Sequence, residues 1–434
     1  MKSGAAPSAE QDRALWFALA VAAALIAAPW RGHVDDVDAQ LYAVLVRNLA
    51  RDHAWLDLRY LPGLLPHFRE HLPFGFWPGA AALRLLGEWA VAPAYGLLTW
   101  LTVLASARIA ARLGGPWAGV AGALALGTCE SIWQYGGRVL LEPPLLLLTT
   151  LSVGAVLRDR PRWGLAALWA ALAVLVKGPF GMLPLACVAI GLGPRAMARG
   201  ALACAAAAVP IALFLWLDGG DWSSGYYRRQ LLASATGARL DGITLWWFPL
   251  LVIAGRFWPG LPFALAGGLR RDRRGLAIAC LAIAALLCLP QRKWGNHAYV
   301  AFPLLAILAG LGAARIVERF PRWLLPAAAA LAWALALGGA GRLVLQPPCI
   351  VHAELAAELS GLPRGAPLLL VSPQVDWLLV GELASERDLV PWPQSALPAS
   401  GVISHHALVR DGTALVAPWR AVARARGWTL AQRQ

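Results

Sequence analysis

Long apolar segments joined by short, strongly basic turns constrain this chain more than any other feature. Such segments lie near 14–30, 90–107, 116–133, 139–157, 163–176, 178–193, 200–217, 243–268, 275–290, 298–314 and 323–341. An upright helix needs roughly 20 apolar residues to cross a bilayer core, so the shorter segments have soft boundaries. With 59% of its 434 residues apolar and 14% charged, the chain reads as a polytopic membrane protein, not a soluble domain. The expected fold is all-α, with about eleven transmembrane helices. The segment after the polar start Met1–Arg13 has no small-residue cleavage site and reads as a retained first helix.

The loops set the orientation. Alternate connections carry Lys2 and Arg13, Arg108 and Arg112, Arg158, Arg160 and Arg162, Arg195 and Arg199, Arg270, Arg271, Arg273 and Arg274, then Arg315, Arg319 and Arg322. These sixteen cations form tight knots, and the positive-inside rule puts them in the cytoplasm. The net charge of +14 therefore reflects topology; no basic groove for nucleic acid is implied. Of six cysteines, only Cys349 lies clearly outside the apolar segments, and no CxxC pattern exists.

The remaining loops then share the outer face, and they hold every chemically suggestive residue. The first outer loop, 31–89, concentrates Asp35, Asp36, Asp38, Asp52 and Asp57 with His53, His67 and His71. Acidic groups packed against a bilayer mark a candidate reaction site. One of the first three aspartates is expected to cap a helix. From Asp38 onward, Leu41, Val44, Leu45 and Leu49 share one face opposite Gln40, Arg47, Asn48 and Arg51, which predicts a helix lying in the membrane interface.

Four more constellations follow on that face. Glu70-His71-Leu72-Pro73-Phe74-Gly75-Phe76-Trp77 joins an acid to an aromatic turn. Glu142 opens an apolar segment one helical turn after Arg138, so an ion pair between them is the plain alternative to a catalytic role. Lys177-Gly178-Pro179 wedges one lysine between apolar segments; it either snorkels or serves a phosphate as a point charge. Arg292-Lys293-Trp294-Gly295-Asn296-His297-Ala298-Tyr299 mixes basic and aromatic groups suited to a phosphate bearing a sugar or lipid. His67 to His71 also spells H-x-x-E-H, but Pro66 and Pro73 leave too little helix for a zinc peptidase.

Residues 1–341 are thus one membrane domain, and 342–434 a small extramembrane α/β domain. In the tail, helices are expected at Val351–Ser360 and from Ser372-Pro373 to Leu383, a strand at Leu368–Val371, and a hairpin over Leu408–Val416.

In order and topology these constellations resemble the GT-C class of membrane glycosyltransferases. The likeness is to the bacterial branch with the lipid A aminoarabinose transferases and relatives of the protein O-mannosyltransferases. The family's Asp-Glu-x-x-Tyr is matched by Asp38 and Tyr42, with Ala39 for the glutamate. Its Glu-Lys-Pro-Pro-x-x-x-Trp resembles Glu70 to Trp77, with His71 and Leu72 replacing the lysine and first proline. Its Arg followed by Asp-x-Pro-Leu resembles Arg138 to Leu145, with Glu142 for the aspartate. Lys177-Gly178-Pro179 is intact, as is the signature Lys293, Tyr299 and Pro303. The likeness spans about residues 14–315, and the C-terminal domain has no counterpart.

The resemblance implies transfer of one sugar from a polyprenyl-phosphate donor, usually undecaprenyl phosphate, to a lipid, glycan or protein on the outer face of the bacterial inner membrane. It implies Asp38, Glu142 and Glu70 as catalytic carboxylates. Tyr42, His71, Arg138, Lys177, Arg228, Arg229, Arg292, Lys293 and Tyr299 would bind substrate. Some relatives hold a divalent ion between the glutamate matching Glu70 and a histidine in a later outer loop. Here that loop, Asp218–Asp241, lacks histidine and offers Arg228 and Arg229, so no metal or other cofactor is expected. The rival reading is a transporter or lipid flippase, which would place charges in mid-span instead of at loop edges.

Overall fold

The computed structural model describes residues 9–27, 37–60, 67–218, 222–239, 242–269, 273–319 and five tail stretches, 368–371, 389–392, 406–410, 419–425 and 428–433. The chain is a helical bundle. In order come α1 (Ala9–Ala27), α2 (Val37–Asp52), α3 (Trp77–Leu86), α4 (Val91–Gly114), α5 (Pro116–Gly127), α6 (Glu130–Tyr135), α7 (Glu142–Val156), α8 (Trp163–Lys177), α9 (Leu183–Gly191) and α10 (Pro194–Leu217). A π-helix, Ser223–Leu232, leads into α11 (Ala233–Thr236), α12 (Phe248–Arg256), α13 (Leu261–Gly268), α14 (Arg274–Cys288) and α15 (Phe302–Arg319). Proline stands in the first turn of α3, α5, α7, α9, α10, α12 and α13, where its missing N–H costs nothing.

Among the described residues, four helical stretches are long and apolar enough to cross a bilayer alone: Glu88–Gly114, Trp163–Gly181, Pro194–Leu217 and Gly295–Ile316. The expected segment 243–268 is α12 and α13, bent by 80° at their junction. The expected segment 116–133 divides into α5 and α6, because the Thr128 hydroxyl donates to the Leu124 carbonyl (2.7 Å) and Cys129 turns extended before α6 starts. The expected segment 323–341 lies outside the described residues.

Helix α15 is the most buried element and packs on α5, α13 and α4, while α8 packs between α7 and α10. Apolar burial does not drive helix association in lipid, so close backbone approach must, and small residues permit it. Gly310 faces the Ala118 carbonyl and Gly312 the Phe263 carbonyl. At one end of the bundle, Arg112 Nη2 donates to the Gly154 carbonyl (3.3 Å) and Arg273 Nη2 to the Leu113 carbonyl. The basic turns after α4, α7 and α13 therefore meet.

The helix expected from Asp38 is present as α2. Gln40 is 9% exposed and Asn48 4%, while Arg47 is half-buried and Arg51 exposed, so its polar face is covered in part. Asn48 Nδ2 donates to the Arg59 and Tyr60 carbonyls (3.0 and 2.7 Å), which pins the returning loop over that face. The apolar periodicity identified the helix; the loop that covers its other side left no pattern.

In the tail, the strand expected at Leu368–Val371 is present as β1. With β2 (Leu389–Trp392), β3 (His406–Arg410), β4 (Trp419–Ala425) and β5 (Trp428–Arg433) it forms one sheet, ordered β2-β1-β3-β5-β4. β1 pairs parallel with β2 and β3, and β5 runs antiparallel to β3 and β4. The hairpin expected over Leu408–Val416 is corrected: β3 pairs with β1 and β5, and the hairpin is β4-β5. The two helices expected in the tail lie outside the described residues.

Gly312→Ala should destabilise the protein by about 1–3 kcal/mol, because its Cβ would enter the space of the Phe263 carbonyl oxygen. Thermal unfolding in detergent checks this; an unchanged midpoint would mean that α13 and α15 can move apart freely.

Candidate active site

The loops at the other end of the bundle, opposite the Arg112 and Arg273 contacts, enclose a cavity of about 210 Å³. Its lining comes from five places in the chain. The N-terminal turn of α2 contributes Asp38 and Tyr42, and the turn before α3 contributes Glu70 and His71. Lys177 and Phe180 come from the end of α8, and Tyr226, Gln230 and Arg239 from the π-helix and the turn beyond it. Arg292, Trp294, Asn296 and His297 close the ring.

At the end of α8, Lys177 pairs with Glu142 Oε1, and the two side chains are 10% and 4% exposed. Glu142 is the first residue of α7 and Lys177 the last of α8. Each charge therefore faces the helix end whose dipole favours it. The pair corrects two expectations. Glu142 is joined to Lys177, 35 residues away in sequence, not to Arg138. Lys177, buried against Glu142, does not snorkel. Arg138 is instead over the Tyr135 ring, 5.2 Å from its centroid.

Gly178 follows with φ 57 and ψ −138, in the left-handed half of backbone space, and any Cβ there would strike the Tyr226 hydroxyl. The Lys-Gly-Pro run thus turns the chain at the cavity wall and lets Tyr226 close against it. Burial raises the Tyr226 pKa and keeps the phenol protonated.

His71 Nε2 and the Tyr42 hydroxyl lie 2.7 Å apart. Burial, then the charges of Lys177 and Arg239, push the His71 pKa down to about 3. Where the family pattern has a lysine, this chain therefore presents a neutral imidazole. Nearby, Asp57 is held below its ordinary pKa: burial opposes ionisation, but Arg59 (2.6 Å), His67 (3.1 Å) and Arg69 (2.9 Å) outweigh it. His67 and His71 thus turn to different partners.

Six of the expected site residues line the cavity together: Asp38, Tyr42, Glu70, His71, Lys177 and Arg292. Glu142 reaches it through Lys177. Arg229, exposed, lines an adjoining cavity with Arg69 and Glu70, and Arg228 is exposed too. Lys293, 3% exposed, lies behind the wall, where its backbone pairs with Ile243 (2.9 and 3.0 Å). Tyr299 is 6% exposed and packs against Tyr135 and Phe302. Sequence reasoning missed Gln230 and Arg239, whose loop has no motif. Asn296 and His297 lay inside the basic-aromatic stretch and were legible as neighbours of Arg292.

Lys177→Ala should cost about 3–5 kcal/mol by leaving Glu142 buried and unpaired, whereas Lys177→Met with Glu142→Leu should recover most of that. Unfolding of the three proteins in detergent tests this; equal stability of the single variant and wild type would refute the pairing. The His71 side chain stays neutral in the fold but takes a proton near pH 6.5 when unfolded. Its contribution to stability is therefore complete above pH 6.5 and shrinks as pH falls toward 3. His71→Gln should flatten that part of the stability curve; an unchanged slope would show an ordinary, solvated histidine.

No protein-family profile matches the sequence, and no curated protein matches it. Solved structures do. ArnT from Cupriavidus metallidurans bound to undecaprenyl phosphate superposes with a TM-score of 0.75 at 17% identity, over 98% of each chain. ArnT of the same organism in the apo state gives 0.72, also at 17% identity, over 96% of this chain and 97% of that one. The Archaeoglobus fulgidus oligosaccharyltransferase in the apo form gives 0.53 at 13% identity, over 87% of this chain and 64% of its own. The chain has the GT-C membrane fold that these transferases share.

Proposed function

We propose that the chain is a glycosyltransferase that moves a single sugar from a polyprenyl-phosphate donor to a lipid, glycan or protein. Undecaprenyl phosphate is the carrier that the reading favours, since the ArnT structure of the same fold was solved with that lipid bound. One observation carries the proposal: Asp38 and Glu70 share a cavity with Lys177, Arg239 and Arg292 at the helix ends. A transporter would place its charges near the midplane.

In this reading the acceptor hydroxyl gives its proton to the Asp38 carboxylate as its oxygen bonds to the sugar carbon. The bond from that carbon to the phosphate oxygen breaks, and the electron pair leaves with the polyprenyl phosphate. The positive charges of Arg239, Arg292 and Lys177 stabilise the growing negative charge, which is the largest catalytic contribution such a site makes. Arg292 and Arg239 touch the phosphate, while the Glu142 partnership holds Lys177 at the wall. Glu70 orients the sugar, Tyr42 and His71 offer neutral hydrogen bonds to it, and Arg228 and Arg229 meet the acceptor. Arg138, Lys293 and Tyr299 support the wall from behind.

The basic turns face the cytoplasm and the cavity faces outward from a bacterial inner membrane crossed about eleven times. Residues 342–434 form a separate small domain on that outer side.

Asp38→Asn should leave a stable protein with transfer reduced about 10²–10⁴-fold, since asparagine keeps the size of aspartate in the first turn of α2 but cannot take the proton. The reading is tested by mass spectrometry of lipid A, envelope glycans and surface proteins from a strain lacking the gene. Complementation by wild type should restore one sugar addition and Asp38→Asn should not. Identical glycoconjugates with and without the gene would overturn the function; full rescue by the variant would overturn Asp38 as base.

A further inference from the structure

The glutamate that matches Glu70 is the residue with which some relatives are expected to hold a divalent ion, its partner a histidine from a later outer loop. In this chain Glu70 meets Gln230. The Gln230 Nε2 donates to Glu70 Oε2 (2.6 Å), and the Gln230 Oε1 accepts from Arg239 Nη1. The Arg239 guanidinium lies 4.7 Å over the Trp294 ring. Chemistry fixes the orientation of the amide. A carboxylate only accepts and a guanidinium only donates, so the NH₂ must face Glu70 and the carbonyl Arg239.

These groups do not fit a divalent cation. Its place beside Glu70 is taken by an amide N–H, and the guanidinium beyond repels positive charge. Among the described residues, no three His, Cys, Asp or Glu side chains converge on a point that could hold a metal. His71, also on the cavity wall, has its Nε2 engaged with Tyr42.

The backbone that presents Gln230 is unusual. Residues Ser223–Leu232 form a π-helix, a conformation that is rare and concentrates at functional sites. Its wide turn directs Tyr226, Gln230 and Leu231 into the cavity while Ser224, Gly225 and Arg229 line the adjoining one. Beyond it, α11, which leads to Arg239, is tied to the 291–292 segment, whose Arg292 and Gln291 N–H groups donate to the Ser234 and Ala235 carbonyls (3.0 and 3.4 Å).

We propose that Gln230 is a positioning residue whose amide straps Glu70 in the first outer loop to Arg239 in a later one, where relatives would use a metal. Both of its bonds are charge-assisted and polarise the same amide in the same sense, so each strengthens the other. The strap holds the Arg239 guanidinium over the cavity and engages one oxygen of Glu70. This rests on the transferase reading only for the identity of the anion that Arg239 meets.

The test uses the full chain in detergent with Gln230→Leu, which keeps the volume without the bonds, and Gln230→Glu, which sets a second carboxyl against Glu70. Three quantities are read: zinc content, the thermal midpoint against pH, and KM and kcat for undecaprenyl-phosphate sugar. Wild type should hold no stoichiometric zinc and keep its activity after chelation. Gln230→Leu should raise the donor KM about ten- to hundredfold with kcat changed less. In Gln230→Glu the facing carboxyls should share a proton, raising one pKa in the fold. Its midpoint should therefore climb relative to wild type as pH falls toward 6, and its donor KM should recover over the same range.

Stoichiometric zinc in wild type, with activity lost on chelation and restored by zinc, would overturn the strap and make Glu70 a metal ligand. A wild-type donor KM in Gln230→Leu, or a pH profile in Gln230→Glu parallel to wild type, would overturn it too. If wild type turns over no polyprenyl donor, the transferase reading fails. The strap is then still decided by zinc content and by melting against pH, both read without substrate.

Discussion

The buried pair of Glu142 and Lys177 is the contact on which the cavity depends. Removing two charges from water costs several kcal/mol per ion, and mutual attraction in a dry interior only roughly offsets it. The pair is tolerable because it lies where helix α7 begins and α8 ends, so both dipoles assist. It ties these two ends together at the cavity wall. The turn at Gly178, the approach of Tyr226 and the placing of the π-helix all follow from where α8 stops.

Around that anchor the chain sorts charge between the two ends of the bundle. Cations with partners in the opposite basic turns, such as Arg112 and Arg273, bond to helix C-terminal carbonyls at one end of the bundle. At the other end the polar groups bond mostly to each other: Tyr42 with His71, Gln230 with Glu70, Arg239 with Gln230. A ring of mutually bonded groups around a 210 Å³ space is preorganised, so an anion entering it would meet dipoles already in place.

What was legible in the sequence was what periodicity and local chemistry control. The apolar segments, the helix from Asp38, the strand at Leu368–Val371 and six cavity-lining residues could all be read from the chain. What was not legible depends on partners distant in sequence. Nothing near Glu142 points to Lys177, 35 residues later, and nothing near Glu70 points to Gln230, 160 residues later. Asn48 looked like a solvent-facing residue because the carbonyls it caps, at Arg59 and Tyr60, belong to a loop with no pattern. The π-helix was invisible for a related reason: a wider turn leaves the hydrophobic sequence almost unchanged while redirecting side chains.

The 80° elbow between α12 and α13 has a consequence for how many times the chain changes sides. Just before the elbow, Ile243 is bridged to Lys293 beside the cavity. Just after it, Arg273 reaches the Leu113 carbonyl at the far end, and α14 then returns the chain to Pro290 on the cavity wall. A re-entrant hairpin would bring Arg273 back to the side from which Ile243 left. The elbow therefore carries the chain from the cavity end of the bundle to the opposite end. Two short helices joined at an angle thus do together what one long helix does elsewhere in the bundle.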